Sequence, residues 1–390
     1  MANPETNPLA YLDYNATAPL HPKVAKAVTS LWAEPLNGSS IHAYGRKAKS
    51  VMDDARRHVA ALVGKDTSND PNGIQVIFTA SGTEANNLAI RGLKVVSRYV
   101  SGVEHPSVLK TAQSLADGDF RMIPVDKNGI VKFDVLERML TTRKGKVLVS
   151  VMLANNETGV IQPMAEIAAL ARRYGALVHT DAVQAAGRIP LDMAALGVDM
   201  MTLSSHKLGG LQGAAALVIR KDLALSAQLI GGGQELGFRA GTENIPAIHG
   251  FGTIAALAEK EREALSKKLE LYREALETAI HSISPEAMIV GKDAPRIPNT
   301  SCIIMPGVKA ETQLIHYDMQ GLSLSAGSAC SSGKVEVSQV LKAMGYRDEE
   351  AACAIRVSLG RATTEEDIVR FADAWQALYR RLKTPQNKAA

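Results

Sequence analysis

The chain has 390 residues, more than one hydrophobic core usually organises, so two or three packed units are expected. Apolar residues at 46% and charged residues at 22% exclude disorder, collagen-like repeats and a coiled coil. Forty-four Lys+Arg against forty Asp+Glu leave a formal charge of +4, spread without a basic block, which removes the electrostatic case for wrapping nucleic acid or coating an anionic membrane.

The first residues, Met1 to Glu5, show neither a charged n-region nor an apolar h-region. No apolar run approaches the ~18 residues that span a bilayer, so a cytoplasmic address is expected. Along the first two-thirds, β-rich apolar runs at 74–78, 147–151, 176–179 and 200–203 alternate with helical patterns. That alternation predicts a largely parallel sheet with crossover helices, whose ligands sit beyond the carboxyl ends of the strands.

Three strand ends carry polar constellations. After the first run, Ser81-Gly82-Thr83-Glu84 opens a helical pattern; its small residues and helix N-terminus suit a phosphate, or equally an ordinary capped helix. After the third, Asp181 is either an N-cap for a following helix or a fixed negative charge for a cationic ring nitrogen. After the fourth come Ser204, Ser205, His206 and Lys207. A lysine there is either solvated or held in a crevice, where it can lose its proton and form a Schiff base. His179, Asp181 and His206 lack metal-ligand spacing, so no metal is expected.

From Ile245 to about residue 280 a long helical pattern, free of proline after Pro246, reads as a helix joining two domains. Beyond it, strand-like runs at 301–305, 322–324 and 354–357, with helices near 338–344 and 364–382, predict a smaller α+β domain, and residues 383–390 read as a frayed polar tail.

The segment from Ser325 to Lys334 superficially resembles a phosphate-binding P-loop. Five residues rather than four separate Gly327 from Gly333, and Val335 follows the lysine where Ser or Thr would hold magnesium, so the nucleotide reading is rejected. What remains is a cysteine among small, flexible residues. The three cysteines, Cys302, Cys330 and Cys353, cannot all pair and contain no C-x-x-C, which argues against a disulfide framework or a four-ligand zinc site. Cys302 and Cys353 sit among apolar neighbours, so Cys330 has the best case for reactivity.

Together, in this order, these segments resemble the cysteine desulfurases of the NifS/IscS-like group, class V aminotransferases of pyridoxal-phosphate fold type I. The resemblance runs from Tyr11–Thr17 to Arg361. It includes the motifs at 37–42, Gly82-Thr83-Glu84, Glu104-His105, 155–159, 181–184, His206-Lys207, 239–244 and 327–330. It implies an α/β fold in which a mostly parallel seven-stranded sheet lies between helices in a large domain (15–260). Residues 1–14 with 261–390 would form the small domain that carries the catalytic cysteine.

The same resemblance gives Lys207 the covalent attachment of pyridoxal 5′-phosphate. It gives the phosphate to Gly82, Thr83, Ser204 and His206, with Thr242 supplied by the other subunit of a homodimer. Asp181 would pair with the ring nitrogen, His105 would stack on the ring and move protons, and Gln184 would bond the ring hydroxyl. Asn156 and Arg356 would hold the carboxylate of L-cysteine, and Cys330 would be the nucleophile that takes sulfur as a persulfide. The sequence departs from the family's Gly-Pro-x-Gly-x-Gly after the lysine, reading Gly210-Leu211-Gln212-Gly213-Ala214-Ala215. The segment around Cys330 resembles the long-loop branch, whereas residues 383–388 do not match the tail with which housekeeping members contact their iron–sulfur scaffold. A sulfur-acceptor protein of that kind is an expected partner. Selenocysteine lyase, which needs the same lysine, ring and carboxylate contacts, is the second enzymatic reading. A non-catalytic sulfur-relay protein is the third, and the retention of Lys207, Asp181 and Cys330 opposes it.

Overall fold

A computed structural model describes residues 9–64, 73–115, 119–326 and 337–383. Cys330 and the polar tail beyond Lys383 lie outside the described residues. The first strand is the short β1 (Ala10–Tyr11), followed by β2 (Ile74–Thr79), β3 (Ser97–Ser101), β4 (Asp119–Ile123), β5 (Val147–Ser150), β6 (Leu177–Asp181), β7 (Met200–Ser204) and β8 (Ala215–Arg220). Strands β2 to β8 form one seven-stranded sheet in the order β2-β8-β7-β6-β5-β3-β4. Every neighbouring pair from β7 to β4 is parallel. Strand β8 runs antiparallel to both β7 and β2, so the sheet is mixed at one end.

Strands β5, β6 and β7 are buried along their whole length, as strands covered by helices on both faces must be. The antiparallel β8 between β2 and β7 leaves β2 pointing the same way as β7. The carboxyl ends of β2, β3, β5, β6 and β7 therefore share one edge of the sheet, and the polar constellations collect there.

The joining helix, Ile245–Ile283, is unbroken and spans roughly 58 Å at 1.5 Å per residue. Asn244 caps it by accepting from Ala247 N. Its first half buries Ile248, Phe251, Ile254 and Ala255 in the core beneath the large sheet. Its second half buries Leu269, Leu276 and Ile280 in a separate core with Tyr317, Phe371 and Trp375. The C-terminal strands are β9 (Met288–Ile289), β10 (Thr300–Ile304), β11 (Leu322–Ser323), β12 (Ser325–Ala326) and β13 (Ala354–Ser358). They form an antiparallel sheet β12-β13-β10-β9 and a parallel pair β1-β11. The run at 322–324 contains the short β11, with a second short strand, β12, just beyond it, and the final helix extends to Lys383, one residue into the stretch expected to fray.

Candidate active site

At the carboxyl edge of the large sheet a cavity of about 390 Å³ is lined by Gly82, Thr83, His105, Asn156, Asp181, Gln184, Ser204, His206, Lys207 and Arg356. These are all the predicted site residues but two. Thr242 lies apart, in a small recess with Phe78, Glu235 and Arg239, and Cys330 is outside the described residues.

Lys207 closes a single 3₁₀ turn, Ser205–Lys207, that follows β7 directly. Its Nζ donates to Asn15 O at 2.7 Å and to Ala16 O at 2.6 Å. Burial, aided by the positive charges of Arg356 and Arg188, brings the amine down to about 8, so the crevice reading of the lysine holds. The turn survives the departures from the family pattern. A Cβ at Gly210 would fall 2.1 Å from Ser205 Oγ, Gly213 adopts φ +83°, and Ser205 N donates to Ala214 O.

Asp181 is the last residue of β6, and no helix follows it; the N-cap alternative is therefore removed. Its Oδ1 accepts from Val183 N at 2.9 Å and its Oδ2 from Asn86 Nδ2 at 2.8 Å. His105 caps the helix Pro106–Gln113: its Nδ1 accepts from Ser107 N and lies 2.7 Å from Ser107 Oγ. With Nδ1 accepting, the neutral ring carries its hydrogen on Nε2. Burial lowers its basicity, the Asp181 charge opposes that, and Lys207 adds to it. His179, two residues before Asp181, is a core histidine bridging Ser150 Oγ and Thr202 Oγ1, held at about 4 by burial.

Ser81 caps the helix Gly82–Gly92, its Oγ accepting from Glu84 N. The first N–H groups of that helix have no intrahelical acceptor. With Ser204 and His206, whose ring is held near 4 by burial and Lys207 and is therefore neutral at neutral pH, they gather donors of the kind that suits an anion. Gly82 lies beside Ser204: a Cβ built on it would make ordinary contact with that side chain, 3.9 Å from its Oγ. Both ends of the Gln184 amide are engaged, Nε2 donating to Asn15 O and Oε1 accepting from Arg188.

Arg356, on β13, donates from Nη1 to Asn156 O at 3.1 Å and from Nη2 to Asp13 Oδ1 at 2.7 Å. Its buried Nε has no partner, the condition of a donor awaiting a ligand acceptor. An aldehyde-binding amine, donors that suit an anion, a carboxylate for a ring nitrogen and a histidine together fit pyridoxal 5′-phosphate.

Three participants have no role in the sequence reading. Asn86 holds Asp181 and lies four residues after Gly82, on the same helix face, a spacing that could have revealed it. Glu104 is fully buried and pushed up to about 8 by desolvation; its Oε1 accepts from Met152 N and Ser101 Oγ. Asp13 pairs with Arg356 across 343 positions, which no local signal reveals.

The family model for aminotransferase class V matches residues 10–371. The chain belongs to the aminotransferase class-V family. It is 37% identical over 383 residues to a cysteine desulfurase IscS of Dictyoglomus turgidum, covering 96% of this chain and 95% of that one. Among solved structures, a NifS-like protein from Rickettsia africae superposes with a TM-score of 0.90 at 37% identity, covering 95% of this chain and 99% of that one. SspA in complex with cysteine aligns with a TM-score of 0.76 at 27% identity over 91% of this chain and 99% of that one. The architecture of this class-V chain is that of pyridoxal-phosphate fold type I. Among the described residues no helix is long and apolar enough to cross a membrane.

Proposed function

We propose that this protein is a pyridoxal 5′-phosphate-dependent cysteine desulfurase that takes sulfur from L-cysteine as a persulfide on Cys330 and releases L-alanine. The observation that carries the reading is the convergence of Lys207, Asp181, His105 and Arg356 on one cavity in a chain related to cysteine desulfurases. The cofactor, when bound, supplies an electron sink that lets the substrate's Cα give up its proton.

This chain's own residues do the rest. Lys207, with its amine brought to about 8, holds the cofactor aldehyde and receives or returns protons. Asp181, fixed by Asn86 and Val183, keeps the ring nitrogen protonated. Gly82, Thr83, Ser204 and His206 bind the phosphate. The neutral His105 ring moves a proton from its Nε2, and Arg356 with Asn156 anchors the substrate carboxylate. Cys330 attacks the substrate sulfur as a thiolate, forming an S–S bond as the Cβ–S bond breaks; the electron pair of that bond stays with carbon, which takes up a proton and leaves as alanine. Cys302 is a poor rival, because burial raises its thiol far above the ordinary range.

Residues 15–260 form the cofactor-binding domain in this reading, and 1–14 with 261–390 the small one. The enzyme acts as a homodimer in which Thr242 completes the partner's phosphate site. That arrangement is supported by Thr242 lying outside its own chain's cavity and by large apolar side chains left exposed on the same monomer, including Ile41, Ile230 and Leu236. Its product persulfide passes to an acceptor protein, of which an iron–sulfur scaffold is one kind. Incubation with L-cysteine and excess thiol should yield alanine and sulfide in equal amounts. Absence of alanine from the cofactor-loaded protein would overturn the reading.

A further inference from the structure

Asp13 reaches the cavity's edge from the N-terminal segment just after β1, and its carboxylate is divided between two strands. Oδ1 accepts from Arg356 Nη2 at 2.7 Å and Oδ2 from Ser325 Oγ at 2.7 Å. Ser325 and Arg356 face each other directly in the β12–β13 ladder, so the carboxylate spans a cross-strand pair. The ion pair is secluded, with the Arg356 side chain 5% and that of Asp13 15% exposed.

A guanidinium presents five N–H donors in one rigid plane. Once two of its nitrogens are pinned, the direction of the third is set. Here Asp13 pins Nη2 and the Asn156 carbonyl pins Nη1, while Nε stays buried and unpartnered in a side chain that lines the cavity. Asp13 also neutralises a buried cation that would otherwise draw other acceptors onto itself.

We propose that Asp13 is a positioning residue: it holds the Arg356 guanidinium in the orientation with which that side chain meets the substrate's α-carboxylate at the cavity wall, and Ser325 fixes Asp13 in turn. The proposal rests on the cysteine-desulfurase reading for the identity of that substrate. Orientation and charge are separable. Asp13→Asn keeps an oxygen for Nη2 and, because a hydroxyl can accept as well as donate, a bond to Ser325. Asp13→Ala removes the pin altogether.

The experiment uses the holoenzyme and two variants of that residue, with Ser325→Ala as a third. Calorimetry gives the affinity for 3-mercaptopropionate, which carries the carboxylate and thiol of cysteine without its amine, and for the corresponding neutral amide; steady-state kinetics gives KM and kcat for L-cysteine. Asp13→Ala should lose at least ~tenfold of the preference for acid over amide and raise KM by a similar factor, with kcat within about threefold of the parent. Asp13→Asn should stay within about threefold on every measure, and Ser325→Ala should weaken acid binding about threefold at an unchanged melting temperature. Parental binding by Asp13→Ala, or an Asn variant as damaged as the Ala variant, would overturn the proposal. If Asp13→Ala fails to fold, unchanged acid binding by Ser325→Ala overturns it instead. A parent that makes no alanine, yet whose acid preference disappears in Asp13→Ala, would fail the desulfurase reading and uphold the positioning.

Discussion

Carrying the pH across the Lys207 amine tests whether the cavity, and not the residue type alone, makes this lysine reactive. Burial lowers its affinity for a proton, Arg356 and Arg188 lower it further, and Asp13 and Asp181 oppose them; the outcome is about 8 in place of 10.5. An amine at that value is ~10% unprotonated at pH 7, against ~0.03% for an ordinary lysine, a gain of ~300-fold in the nucleophilic form. The reactive fraction rises as pH rises, and saturates once the amine is neutral. Cofactor-free protein would be mixed with pyridoxal, which carries the aldehyde without the phosphate, at a series of pH values. Borohydride quenching after short intervals and quantification of the labelled Lys207 peptide then give an initial rate. That rate should climb ~tenfold per pH unit below 7, bend near 8 and level off. In Arg188→Met the bend should move upward, because a neighbouring cation has been removed. A rate that climbs unbroken to pH 10 would refute the reasoning, since it would show a lysine behaving as it does in water.

Arg356→Ala should raise KM for L-cysteine ~10–100-fold, the worth of hydrogen bonds to a charged group, with little change in cofactor spectrum; an unaltered KM moves the carboxylate site elsewhere. Arg56 forms a bidentate pair with Glu235, whose side chain is 1% exposed and also accepts from Phe78 N. Arg56→Ala should therefore cost ~3–5 kcal/mol in chemical denaturation, as one partner of a buried pair is stranded, and a loss under ~1 kcal/mol would place the pair among energetically silent ones. Light scattering should give the mass of two chains, and Ile230→Asp, a charge placed on a residue 92% exposed, should shift it toward one. A fully active parent that stays monomeric at every concentration contradicts the shared phosphate site.

Strands β2, β5 and β7 are legible in the sequence because each is a continuous apolar, β-rich run of the kind a two-sided sheet demands. Strands β3 and β4 are not, for they carry Arg98, Asp119 and Arg121. The buried Arg98 is accommodated with its guanidinium donating to Ile90 O and Leu93 O, contacts that the folded path of the chain creates. The reversed direction of β8 is likewise invisible to periodicity, which reports burial and says nothing of direction. At the site, Gly82, Asp181 and Lys207 stand out because polar residues at the carboxyl ends of apolar strands have few structural reasons to be there. Their supports do not. Asn86 on Asp181 and Asp13 on Arg356 act across the tertiary fold, whereas Ser107 holds His105 from only two residues away, as part of a helix cap that looks like any other.

The central claim is that Cys330 takes sulfur from L-cysteine as ring chemistry at Lys207 loosens it. L-cysteine labelled with ³⁵S, reacted for a single turnover and mapped by peptide, tests this most directly. The label should sit on the peptide containing Cys330, be released by a thiol reductant, and match the alanine formed; Cys330→Ala should bind cysteine, carry no label and release no alanine. Alanine released at the parental rate by Cys330→Ala, or label on Cys302 or Cys353, would contradict the account.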